Sequence, residues 1–180
     1  MKYKRLYLAY GSNINLEQMA QRCPHSKVIA TDKLKNYELE FRGVATIVPK
    51  KGASVPVLLW EIDQLDEISL DRYEGFPRLY RKELFNMNIN GKSREVMAYL
   101  MNRGEISPPT PTYYNCIKKG YEANGMDTGP LREALERSVE YRHSHKIKYF
   151  DDEELDEEID EDLEEEFDEE MADPWQLTLD

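Results

Sequence analysis

The side chain best placed for acid–base chemistry is Glu74, between Tyr73 and Gly75-Phe76-Pro77. Aromatic neighbours withdraw water from a carboxylate and raise its pKa, and the negative end of a preceding helix acts in the same direction. A general acid/base working near neutrality needs such a shift. A plainer reading stands beside it, a surface glutamate in a turn that closes a helix. The second stretch with chemical potential is Gly11-Ser12-Asn13, where the apolar run from Leu6 to Tyr10 ends abruptly. Gly and Asn tolerate positive φ, so the sequence predicts a sharp turn there that aims successive backbone N–H groups into one space. Such a turn is a nest for a carboxylate, a phosphate or a developing oxyanion. An ordinary strand-to-helix connection is the alternative.

Residues 4–10 read as a strand apolar enough to be central in a sheet. Asn15 caps a short helix with Leu16, Met19 and Ala20 as its apolar face, ended by Pro24. Residues 26–42 read as extended, with apolar and acidic residues alternating from Tyr37 to Phe41. Val44–Val48 is a further short strand, Pro49-Lys50-Lys51-Gly52 a turn, and Val55–Ile62 a strand whose Pro56 belongs at its start or on an edge. Asp63 is the N-cap of a helix running to about Tyr73, with Leu65 and Ile68 inward and Gly75 just past its end. Lys82–Ile89 alternates, Asn90-Gly91 is a type I′ hairpin signal, and Arg94–Met101 returns. Thr110-Pro111 opens a helix with Tyr114, Ile117 and Tyr121 on one face that stops at Asn124-Gly125; Pro130 starts the last helix. About six strands, mostly ahead of three main helices, predict an α+β domain, a small mixed β-barrel with flanking helices.

Charge divides the chain. Eighteen of its 36 acidic residues lie beyond residue 150, and all 24 Lys and Arg lie before it, so residues 1–150 carry a formal +6 against a net −12 for the whole. The expected organisation is a domain over 1–148 and an acidic tail over 149–180, disordered or a docked helix, suited to a basic surface on its own body or on a protein partner. No zinc-ligand spacing, RNP-type motif or helix-turn-helix supports a nucleic-acid partner. No apolar run reaches the ~20 residues of a membrane helix. There is no signal-peptide pattern, and Cys23 and Cys116 form no ligand motif, so the expected setting is reduced and cytoplasmic. His143-x-His145 is read as a solvent-facing pair rather than a metal site.

Three blocks in order, Tyr10-Gly11-Ser12-Asn13, then Leu70-Asp71-Arg72-Tyr73-Glu74-Gly75, then Tyr99-Leu100-Met101 with Ser107-Pro108-Pro109-Thr110-Pro111, Tyr113 and Glu122-Ala123-Asn124-Gly125, make the chain resemble the gamma-glutamylcyclotransferase family, including its AIG2-like members, over roughly residues 5–127. The resemblance implies a compact mixed barrel around one cavity. It also implies cyclisation of gamma-glutamyl compounds to 5-oxoproline with release of an amino acid or amine, without cofactor or metal. By position, Glu74 matches the catalytic glutamate. Tyr10, Gly11, Ser12 and Asn13 match the loop that grips the glutamyl moiety, and Ile14 and Asn15 follow it in the region expected to contact substrate. Tyr113 matches a substrate-contacting tyrosine, and Tyr80 is expected to line the same pocket. The leaving group stays open, so a gamma-glutamylamine cyclotransferase is an alternative. A non-catalytic AIG2-like scaffold using the acidic tail is another.

Overall fold

The computed structural model describes the backbone of residues 3–151 and the side chains of residues 3–145. The acidic segment beyond residue 151 lies outside them, and with it the expectation of a disordered or docked tail. The unit Met1–Lys146 contains the sheet and the site. Five strands form one sheet in the order β2-β3-β1-β5-β4. They are β1 (Arg5–Ala9), β2 (Lys27–Arg42), β3 (Val44–Ile62), β4 (Tyr80–Ile89) and β5 (Lys92–Met101). The helices are α1 (Leu16–Arg22), α2 (Gln64–Tyr73), α3 (Pro111–Ala123) and α4 (Gly129–Asp151). The α+β expectation holds, and β1 is the central strand. It pairs antiparallel with β3 and parallel with β5 at Tyr7 and Met97, and its Tyr7, Leu8 and Ala9 are buried.

The ladder leaves β2 and β4 as open edges, so the sheet does not close into the expected barrel, and side chains alone bridge its two ends. The ring of Tyr37 on β2 meets that of Phe85 on β4 edge-on, with centroids 5.4 Å apart. Tyr80 Oη on β4 donates to the Ala45 carbonyl on β3 at 3.0 Å, and the Met101 N–H on β5 donates to Thr46 Oγ1 at 3.2 Å. These contacts fold the long β2–β3 hairpin over the other end of the sheet.

The two strands expected over 44–48 and 55–62 are one strand. The turn signal at Pro49–Gly52 is spent on a bulge: the register slips between Lys35 and Tyr37, Asn36 and Gly52 both take positive φ, and the Gly52 N–H donates to Asn36 Oδ1. Pro56 sits beyond the last β1–β3 pair, Ala9 with Leu58, where β3 has no ladder neighbour on that flank. Its carbonyl accepts from Tyr121 Oη instead. The Asn90-Gly91 turn has both residues at positive φ, as a type I′ hairpin requires.

Helix ends match the sequence better than helix faces. Asn15, Asp63 and Thr110 all cap with their side chains, and Asp63 forms a capping box with Asp66. On α1, however, Leu16 and Ala20 are exposed and only Met19 is buried. On α2, Leu65 and Ile68 are exposed, while Asp66, Glu67 and Leu70 are buried. The cause is polar. Asp66 is held by the cap and by the His25 N–H. Glu67 takes Arg5, Lys82 and Tyr3. These bonds turn the acidic face of α2 inward, because buried charges stay buried only when paired.

Candidate active site

The site sits where β1 ends, where α2 ends and where α3 passes. After Ala9 the chain makes a 3₁₀ turn, Ser12–Ile14, in which Ile14 N–H donates to Gly11 O and Asn15 N–H to Ser12 O. Gly11 has φ −107°, and Asn13 is likewise outside the left-handed region, so the turn does not use the positive φ expected of it. Position 11 is tight for any side chain: a Cβ there would lie 3.3 Å from Ala45 Cβ and 3.4 Å from Tyr113 Oη, so those neighbours would have to give by a few tenths of an ångström. The N–H groups of Gly11, Ser12 and Asn13 precede the first bonded ones, as at any helix start.

Glu74 is the C-cap of α2. Gly75, at φ +59°, donates its N–H to Arg72 O, and the Phe76 N–H reaches Asp71 O at 2.9 Å. This pair of bonds is a Schellman closure, which fixes the Glu74 backbone. Glu74 as a residue is half-buried, and its carboxyl is crowded by protein. Burial pushes its pKa up to about 7, against the opposing pull of the Arg22 charge and the Asn13 hydrogen bond. Asn13 Nδ2 donates to Glu74 Oε1 at 2.9 Å and to Tyr7 Oη at 2.8 Å. The other side of the Asn13 amide accepts from Arg22 Nη1 at 2.8 Å, and its backbone carbonyl accepts from Trp60 Nε1 at 3.1 Å.

Tyrosines surround Glu74. Tyr113 Oη accepts from the Ala45 N–H at 3.2 Å, and Tyr80 Oη donates to the Ala45 carbonyl, so two tyrosines from different elements converge on one residue of β3. Tyr10 Oη donates to the Tyr99 carbonyl. Ser12 Oγ shares a 3.0 Å hydrogen bond with Tyr73 Oη. Burial raises the phenol pKa of Tyr7, Tyr10, Tyr73, Tyr80 and Tyr113, and the charge of Glu74 adds to each.

The residues singled out in the sequence thus fall into two groups. Tyr10, Ser12, Asn13, Glu74, Tyr80 and Tyr113 come together, with Gly11 admitting Tyr113. Ile14 is enclosed in the core with no exposure, and Asn15 spends its side chain capping α1 and bonding the Cys116 carbonyl, so both do structural work here. Tyr7, Arg22 and Ala45 were not singled out, and Tyr73 only as an aromatic neighbour of Glu74. Tyr7 and Tyr73 lie inside the matched blocks or next to them, and their phenols were the available signal; nothing at Arg22 or Ala45 marks them in the sequence alone.

Residues 7–120 match the model of the family described as "Gamma-glutamyl cyclotransferase, AIG2-like". The chain belongs to that family. Among curated proteins, the human and mouse gamma-glutamylcyclotransferases are each 30% identical to it over 135 residues, covering 67% of this chain and 72% of theirs. A solved structure titled gamma-glutamyl cyclotransferase superposes with a TM-score of 0.64 at 25% identity, covering 88% of this chain and 94% of that one. The gamma-glutamyl cyclotransferase, AIG2-like match takes in Tyr7, Arg22, Glu74 and Tyr113 alike, so the whole cluster falls within it. Among the described residues no helix is long and apolar enough to cross a membrane.

Proposed function

We propose that this protein is a gamma-glutamylcyclotransferase in which Glu74 is the general acid/base. The observation that carries the reading is the Glu74 carboxyl itself, brought close to neutrality by burial and bonded to Asn13 of the loop after β1. A gamma-glutamyl compound holds its own nucleophile, the α-amine, at the distance of a five-membered ring from the γ-carbonyl. Folding the substrate into the attack geometry supplies several kcal/mol of the barrier.

In the proposed cycle the Glu74 carboxylate takes a proton from the α-ammonium. The amine nitrogen attacks the γ-carbonyl carbon, and the carbonyl electron pair moves onto oxygen. The N–H groups of Gly11, Ser12 and Asn13 are the donors suited to that oxyanion. The proton on Glu74 then passes to the leaving nitrogen, and Glu74 takes the second proton from the ring nitrogen, which the attack left with two hydrogens. The carbon–nitrogen bond breaks, the carbonyl re-forms as the lactam with one N–H, and the second proton goes from Glu74 to the released amine, which departs as an ammonium. Two protons pass in turn through Glu74 from the α-nitrogen to the leaving nitrogen, so a single carboxyl with a pKa near 7 serves every transfer. Tyr10, Tyr80 and Tyr113 form the substrate walls in this reading, and their phenols stay neutral.

The test is 5-oxoproline release from gamma-glutamyl-alanine, from lysine gamma-glutamylated on its side chain and from glutathione, with the native chain and with Glu74→Gln. Release by the native chain, reduced about 100-fold or more in the variant, is expected. The best substrate then identifies the leaving group and separates amino-acid from amine release. Full activity of Glu74→Gln overturns the assignment of Glu74, and no release from any substrate overturns the enzymatic reading.

A further inference from the structure

Arg22 lies at the last position of α1, and the family reading gives it no part. Its guanidinium carbon stands 3.7 Å from the centroid of the Tyr73 ring, and Nη1 reaches Asn13 Oδ1 at 2.8 Å and Ser12 Oγ at 3.4 Å. These contacts explain why α1 turns Arg22 rather than Leu16 or Ala20 toward the protein. We propose that Arg22 is a positioning residue for Glu74, acting through the Asn13 amide: it fixes which way that amide faces and so which Glu74 oxygen is left to exchange a proton. The catalytic consequence rests on the function proposed above; the geometric one does not.

A guanidinium has five N–H donors and no acceptor, whereas an amide has one accepting and one donating end. With Arg22 on one side, the Asn13 oxygen must face it. The Nδ2 hydrogens then face away, one toward Tyr7 Oη and one toward Glu74 Oε1. Turned over, the amide would set N–H groups against the guanidinium. Oε1 therefore accepts from Asn13 whether Glu74 is ionised or neutral, and the mobile proton belongs on Oε2. Without Arg22 the reversed amide becomes available. It would offer its oxygen to a protonated Glu74 and favour the neutral acid.

The groups that face Glu74 from the surrounding elements are Tyr7 and Tyr10 from β1 and its end, Arg22 from α1, Tyr73 from α2, Tyr80 from β4 and Tyr113 from α3. Cys23 and Cys116 stand behind Tyr7 and Tyr73. The phenols are held neutral, so among the described residues Arg22 is the positive charge that acts on the carboxyl. Its loss removes a charge that favours the carboxylate and frees the amide, and both effects run the same way.

The experiment follows the Glu74 carboxyl by ¹³C NMR through pH 4–10 in the full native chain, Arg22→Lys and Arg22→Gln, without substrate. Arg22→Gln should raise the Glu74 midpoint by about one pH unit. Arg22→Lys, which keeps the charge and donates only, should move it less. The acid limb of kcat/KM should shift by the same amount in each. A residue that only stabilises the fold would lower the melting temperature and leave the midpoint in place. An unmoved midpoint in folded Arg22→Gln overturns the proposal. If that variant does not fold, the Asn13 Nδ2 resonances of the native chain decide: they should titrate with Glu74, and resonances indifferent to it overturn the proposal. A normal NMR titration in a chain that releases no 5-oxoproline defeats the enzymatic reading and leaves the positioning intact.

Discussion

Asn13 Nδ2 and Glu74 Oε1 are 2.9 Å apart although 61 positions separate them in the chain. The bond joins the loop that follows the central strand to the closed end of α2, and it favours the ionised carboxyl. For the reaction proposed, kcat/KM should therefore rise with pH about a midpoint near 7, where Glu74 gives up its proton. Asn13→Ala should move that midpoint upward and lower kcat/KM at pH 7 about tenfold, the scale of a hydrogen bond to a charged group. A pH–rate profile of both proteins checks it.

Glu74 holds its proton more tightly folded than unfolded, so the folded state binds more protons between pH 4.5 and 7 and loses stability as pH rises through that window. Glu74→Gln resembles the neutral acid and escapes the loss. Its melting temperature should match the native chain's at pH 4, exceed it progressively up to about pH 7, and stay higher by a constant margin above. Thermal unfolding at several pH values measures the gap.

Lys82 on β4 bridges Glu67 at 2.7 Å and Asp71 at 2.6 Å, and Asp71 also accepts from Tyr99 Oη. Burial pushes the Glu67 pKa up, but the bonds from Lys82 and Tyr3 outweigh it and leave it below the usual value. Its contribution is present above the unfolded pKa and lost in acid. Lys82→Met leaves two carboxylates without their common cation and should cost about 2 kcal/mol near neutrality, reduced from the cost of a fully buried pair because all three side chains keep some solvent. The penalty should shrink below pH 4. Denaturant unfolding at pH 7 and pH 3.5 gives both values.

Helix α3 carries Tyr113 and lies against the loop after β1. A Cβ at Gly120 would fall 2.8 Å from the Asn15 backbone nitrogen and 2.9 Å from the Ile14 carbonyl carbon. These are backbone atoms, so helix or loop must move. Gly120→Ala should destabilise by about 1–3 kcal/mol despite the better helix propensity of alanine. It should also lower kcat, because the displaced loop carries Asn13. Unfolding and steady-state rates report the two effects separately.

Capping residues and the Asn90-Gly91 turn are readable because their chemistry is local: a side-chain oxygen for a bare N–H, or a residue that accepts positive φ. The faces of α1 and α2 were misread because apolar spacing assumes an oily interior. Here the inward face of α2 carries Asp66 and Glu67, whose partners Arg5, His25 and Lys82 come from distant segments. The site was legible where whole blocks matched a family pattern, as at Tyr10–Asn13 and Tyr73-Glu74. Arg22 escaped because its partner Asn13 is nine residues away, on a loop whose path depends on α3 and β3. Ala45 escaped because what it offers is a backbone N–H and carbonyl, which no residue type announces.

The five phenols around Glu74 have a consequence for bookkeeping of a chemical kind. Since each is held in its neutral form, Glu74 is the one of these six side chains that gains and loses a hydrogen at ordinary pH, one at a time. For the reaction proposed, two hydrogens enter in turn on the substrate's α-nitrogen and depart on the released nitrogen, and the carboxyl ends each turnover in the state in which it began. The chemical step is then closed to the surrounding medium, and its rate should be the same in dilute and in concentrated buffer.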